Sequence, residues 1–141
     1  MKKIIAGMFV AGSFFCATQA NAYEFKSVEI FTVAGVPIQG ASPNMVITEL
    51  DASARLDAEF SYGLSKEPEV ALQQLQKKLE VQGAALYRKY QILYIGLARA
   101  RVLGVLKVPA VVVDGKYVVY GETDVSISLR KIKQYMEANH G

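Results

Sequence analysis

A chain of 141 residues, 52% hydrophobic, has room for one domain with a usable core. Its 16 Lys and Arg against 13 Asp and Glu give a formal net charge of +3, which asks for neither nucleic acid nor an anionic membrane surface as partner. A single cysteine and a single histidine exclude an internal disulfide and leave no His/Cys set for a metal site.

Residues 1–22 read as a signal peptide. Lys2 and Lys3 form a positive start, Ile4 to Phe15 an apolar stretch, and Ala20-Asn21-Ala22 the small-x-small pattern that precedes cleavage. The apolar stretch is shorter than the roughly 20 residues that span a bilayer, so no membrane anchor is expected after cleavage. Cys16 follows Ser13, Phe14 and Phe15; a bulky Phe at that place fits a lipoprotein signal poorly, and the cysteine is expected to leave with the leader. Cleavage leaves 14 basic against 13 acidic residues in a domain covering 23–141, without a thiol. Thiol chemistry by this domain alone is then excluded.

Residues 27–33, "SVEIFTV", have the β-branched and aromatic content of a strand. Residues 34–44 contain two glycines and two prolines and read as a loop, followed by a second strand at 45–50. Asp51 and Ser53 can cap a helix carrying Leu56 and Phe60, which ends near Gly63. Pro68, between Glu67 and Glu69, opens a longer helix with Leu72, Leu75 and Leu79 on one face. Gly83 is expected to interrupt it, and a third helix to run over 84–102 with Leu86, Tyr90, Leu93 and Leu97 along one side. Two short strands, 111–113 and 117–120, then meet at Asp114-Gly115, a pair suited to a type I′ turn. After Gly121, Thr123 or Asp124 can cap a last helix whose Val125, Leu129, Ile132 and Met136 share one stripe. Separated strands with helices between them, closing on a hairpin and a helix, predict an α/β fold: a mixed sheet covered by helices.

The stretch "GVLKVPAVVVDGKYVVYGETDV" and the helix after it resemble the C-terminal half of a thioredoxin-like fold. That resemblance implies a cis peptide bond before Pro109 and an exposed backbone edge beside it, where another chain can pair. Together with "VEIFT", "ELDA" and "GLSKEPEVA", the block resembles a family of exported proteins encoded in integrating conjugative elements, distantly similar to the TrbC protein of F-type conjugation systems. Two departures from an ordinary thioredoxin stand out. Where a cysteine pair would follow the first strand, this chain reads "VAGVP", and the first crossover has 11 loop residues in place of a helix. The pairing of the second strand stays open.

Several residues admit two readings. Pro109 could simply open a strand in trans. Tyr87, Tyr90 and Tyr94 could form a docking face, or Tyr90 could pack inward with the other two at the rim. Arg99, Arg101 and Lys107 could select acidic partners, or the two arginines could be solvated at a helix C-terminus. Asp114 is explained by its turn, Gly121 by a positive φ or a close approach of the last helix, and His140 lies next to the final residue.

The resemblance implies a periplasmic, non-enzymatic component of a conjugative transfer apparatus, a type IV-like secretion system. Its binding residues would be Lys107, Val108 and Pro109 with Ala34, Gly35, Val36 and Pro37, and its partner another exported transfer protein. No cofactor, metal or nucleic acid is expected. A periplasmic chaperone and a thiol–disulfide enzyme are the alternatives, the latter lacking its thiolate.

Overall fold

The computed structural model describes residues 24–139; the expected leader with Cys16, Ala20 and Ala22, and His140, lie outside them. Seven elements follow in order: β1 (Val28–Thr32), β2 (Val46–Glu49), α1 (Ala52–Ser61), α2 (Pro68–Val102), β3 (Ala110–Val113), β4 (Tyr117–Tyr120) and α3 (Val125–Asn139). The sheet order is β2-β1-β3-β4. β2 runs parallel to β1, β3 antiparallel to β1, and β4 antiparallel to β3. The expected mixed α/β sheet, ending on a hairpin and a helix, is the fold.

Alternation along the central strands builds two cores. Val28 and Ile30 join Val111 and Val113 against Val125, Ile132 and Met136 of α3. Phe31, Ala110 and Val112 turn the other way and pack with Ala100 of α2. Glu29 faces that second side too. Its carboxylate accepts two hydrogen bonds from Arg99, at 2.8 and 2.9 Å, so the charge is matched where it leaves water.

The hairpin follows from its residues. Asp114 (φ 54°) and Gly115 (φ 64°) are both left-handed, as a type I′ turn requires, and the Lys116 N–H donates to the Val113 carbonyl at 3.0 Å. Asp114 does more than turn the chain. Its Oδ1 accepts the amides of Lys26 and Ser27, at 2.8 and 2.9 Å, and clamps the entry to β1.

Two expectations are corrected. Gly83 does not interrupt the helix: α2 is one helix of 35 residues, about 52 Å long. A mid-helix glycine costs about 1 kcal/mol against alanine. Its neighbours here, rich in Gln, Lys, Leu, Glu and Ala, are strong helix formers, and Gly83 keeps an ordinary negative φ. The other correction concerns caps. Asp51 occupies the position before α1 but makes no cap; its Oδ1 accepts the Ala34 amide at 3.0 Å instead. Of the two candidates before α3, Asp124 takes the amides of Ser126 (2.8 Å) and Ile127 (3.4 Å). Thr123 contributes its carbonyl, to Gln39.

The open question of the second strand is answered by parallel pairing through the loop. Leu50 N–H donates to Thr32 O at 2.8 Å. Gln39 forms a short parallel bridge with Asp124: its amide donates to Thr123 O and its carbonyl accepts from Val125, both at 2.9 Å. Hydrogen bonds to Asp51, Thr123 and Val125 thus replace the stiffness of a crossover helix.

Candidate docking surface

β1 and β3 are paired through Phe31 and Ala110, and one step further out stand Thr32 and Pro109. The residues after β1 and those before β3 therefore leave the same end of the sheet from adjacent strands. On the β1 side, Ala34, Gly35 and Pro37 are exposed and Val36 is half-buried. A Val36 to Val33 hydrogen bond (3.3 Å) closes the turn, and Asp51 holds it at Ala34. This end of the sheet is where the two expected binding segments meet.

On the β3 side, α2 stops at a turn in which the Val105 amide returns to the Ala100 carbonyl at 3.0 Å. The Tyr120 hydroxyl accepts from Leu106 N–H (3.3 Å) and donates to Gly104 O (3.4 Å), fixing the segment to β4. Leu106 is 84% exposed, Lys107 is exposed, and Val108 and Pro109 are half-buried. The Val108–Pro109 bond is cis. The Pro109 carbonyl accepts the Gly121 amide at 2.8 Å, and Gly121 takes φ 76°, a conformation that glycine alone adopts freely. A Cβ there would meet no neighbouring atom, so backbone conformation and not helix approach accounts for this glycine.

Among the described residues the backbone amides of Lys107 and Val108 have no hydrogen-bond partner. An open stretch of backbone flanked by apolar side chains fits an extended segment of another chain. Residues 33–37 bring no thiol, hydroxyl, imidazole or carboxylate to it, and the nearby Asp51 is committed to Ala34 and Arg55. What the arrangement offers is an open backbone edge, with the Lys107 amine and the Tyr120 hydroxyl beside it. Asp114 and Gly115 lie at the other end of β3, a strand length of about 13 Å away.

The tyrosine row of α2 separates in the structure. Tyr90 is half-buried and its hydroxyl donates to Asp57 of α1; that bond and the carboxylate's charge push its pKa up to about 12. Tyr94 stacks on Tyr90 with ring centroids 6.0 Å apart, and Tyr87 is exposed. Arg99 is spent on Glu29, whose hydrogen bond raises the guanidinium's pKa further. The basic cluster ahead of Pro109 is thereby reduced to Arg101 and Lys107. Glu122, below the same end, is held under the usual carboxylate range mainly by its hydrogen bond from Lys131.

One feature escaped sequence reading. A groove of about 490 Å³ runs between β2 and α2, lined by Val46, Ile47, Ile92, Ile95 and Gly96 among others. Spacings of three and four at Ile92, Ile95 and Gly96 are its signal on α2, and the other wall depends on where β2 lies.

Sheet order and helix placement define a mixed α/β protein compatible with a thioredoxin-like arrangement. The chain belongs to the family described as "Protein of unknown function (DUF1525)", whose model matches residues 25–138. Neither the curated proteins nor the solved structures give a significant match. Among the described residues no helix is long and apolar enough to cross a membrane, and no three metal-ligating side chains gather.

Proposed function

We propose that this protein is a periplasmic, non-catalytic component of a conjugative transfer apparatus of the type IV secretion kind. It binds another exported transfer protein at the sheet end formed by residues 33–37 and 106–109. The observation that carries the binding role is the unpartnered backbone of Lys107 and Val108 beside a loop without reactive side chains. Export is supported by residues 1–22, and the link to conjugation by the likeness of "VPAVVVDGKYVVYGETDV" to exported proteins of integrating conjugative elements, distantly similar to TrbC. A chaperone for translocating chains is the second reading, favoured by Leu106 standing 84% exposed beside the open backbone.

The test is conjugative transfer from a donor with an in-frame deletion, complemented by the intact gene or by Ala34→Arg/Lys107→Glu. Both side chains are exposed, so the double variant is expected to fold and accumulate normally. Loss of transfer on deletion, restored by the intact gene and not by the variant, is the expected result. Undiminished transfer refutes the apparatus role. Restoration by the variant moves the docking site elsewhere, and capture of many unrelated exported chains supports the chaperone.

A further inference from the structure

On the outer flank of α2, Val81, Ala85, Ile92, Ile95 and Val102 recur at intervals of four, seven, three and seven, positions of one heptad seam. The four large ones are 69–78% exposed, and none belongs to either of the two cores. The seam's two remaining positions are Arg88 and Arg99, of which Arg99 is turned inward to Glu29. Alongside lies the outer edge of β2, where Val46 and Ile47 are 57% and 49% exposed and, among the described residues, no further strand pairs. An open edge strand beside an apolar helix flank is a surface that proteins cover.

We propose that a second copy of this chain covers it, two protomers pairing through α2 about a two-fold axis near Ile92. The stripe is self-complementary when reversed. An antiparallel α2 sets Val81 against Val102, Arg88 against Ile95, Ala85 against Arg99 and Ile92 against itself, so neither arginine directly opposes another. The adjoining row on α2 is Ala84, Gln91 and Ala98, exposed and uncharged, with small residues at its two ends. A standard interface takes about 800 Å² from each partner. Homodimer interfaces are about 65% apolar, which asks for about 500 Å² of apolar surface per copy. Val81, Ile92, Ile95, Val102 and Val46 each offer on the order of 100 Å², which meets that requirement. The face centres on Ile92, ten residues before α2 ends and hands the chain to the sheet end proposed to bind the transfer partner.

The experiment is sedimentation of the protein as recovered from its producing cell, from 1 to 100 μM, with Ile92→Arg/Ile95→Arg compared at each concentration. Both positions are exposed, and matching thermal melts by circular dichroism at low concentration establish that the variant folds. The wild type is expected to sediment as a dimer and the variant as a monomer at every concentration. In parallel, Ile92→Cys is expected to cross-link to its own copy under copper–phenanthroline oxidation, while Gln73→Cys, exposed elsewhere on α2, is not. A wild type monomeric at 100 μM, a dimer unmoved by the arginines, or equal cross-linking at both cysteines would each overturn the proposal. A monomer that loses a transfer protein through the arginine pair overturns it too and gives the face to a foreign strand.

Discussion

Alanine in place of Gly96 is expected to weaken the protein, although the same change elsewhere in α2 strengthens it. A Cβ built on Gly96 would stand 2.6 Å from Thr48 Cγ2 and 3.4 Å from its Oγ1. Carbon atoms pack at about 3.5–4.0 Å, so the overlap is about 1 Å. Thr48 has little freedom to give way: it is β-branched, and its strand is paired to β1 at Phe31. Overpacking of this kind costs about 1–3 kcal/mol, offset by about 1 kcal/mol of helix propensity gained by alanine. The net loss is about 1 kcal/mol, a fall in Tm of about 4 °C for a domain of this size. Gly83 supplies the control, since a Cβ there meets nothing within 4 Å; Gly83→Ala is expected to gain about 0.5–1 kcal/mol. In a Thr48→Ala background the clash is gone, and Gly96→Ala becomes stabilising by a similar amount. Urea denaturation followed by circular dichroism reads all five proteins. Stabilisation by Gly96→Ala in both backgrounds refutes the close approach of α2 to β2.

Tyrosine ionisation followed at 295 nm should show one late group near pH 12, Tyr90, which Asp57→Asn returns toward its ordinary 10.0. Because the folded chain keeps that proton while the unfolded chain loses it, the contribution to stability is complete below pH 10 and lost as pH rises through about 12. A melt that is flat across that window would deny the Tyr90–Asp57 bond. Asp114→Ala is expected to cost about 2 kcal/mol, from the left-handed backbone and two lost amide bonds. Asp114→Asn tolerates the backbone and keeps one acceptor oxygen, so it should cost about 0.5 kcal/mol; equal losses for the two variants would refute this account of Asp114.

What could be read in advance were elements whose cause is local. The β3–β4 hairpin follows from Asp114-Gly115, and β1 and α3 follow from their own periodicity. Gly83 misled because glycine weakens a helix without ending it when its neighbours favour helix and its φ stays negative. The expected apolar face of α2 was only partly a core face: Leu72 and Leu79 are 55% and 45% exposed, because α1 offers just ten residues to a helix of 35. Asp51 and Thr123 were read as caps from residue type, yet what they bond was decided by a loop arriving from elsewhere. That residues 34–37 and 107–109 leave the same end of the sheet was legible through the fold resemblance. The groove beside β2 depends on its being the outermost strand among the described residues.

The loop that joins β1 to β2 makes two short turns of its own, at Val33–Val36 and Ser42–Met45, and between them it is stitched through Gln39 to Thr123 and Val125. Those residues stand nearly a hundred positions after β1 in the chain. The loop is therefore expected to be fully held only once the C-terminal hairpin and α3 are in place, long after β1 itself has been synthesised. Amide exchange should carry the same imprint: β3, β4 and the buried side of α3 opening last, and β2 with its loop opening first, as a separate unit.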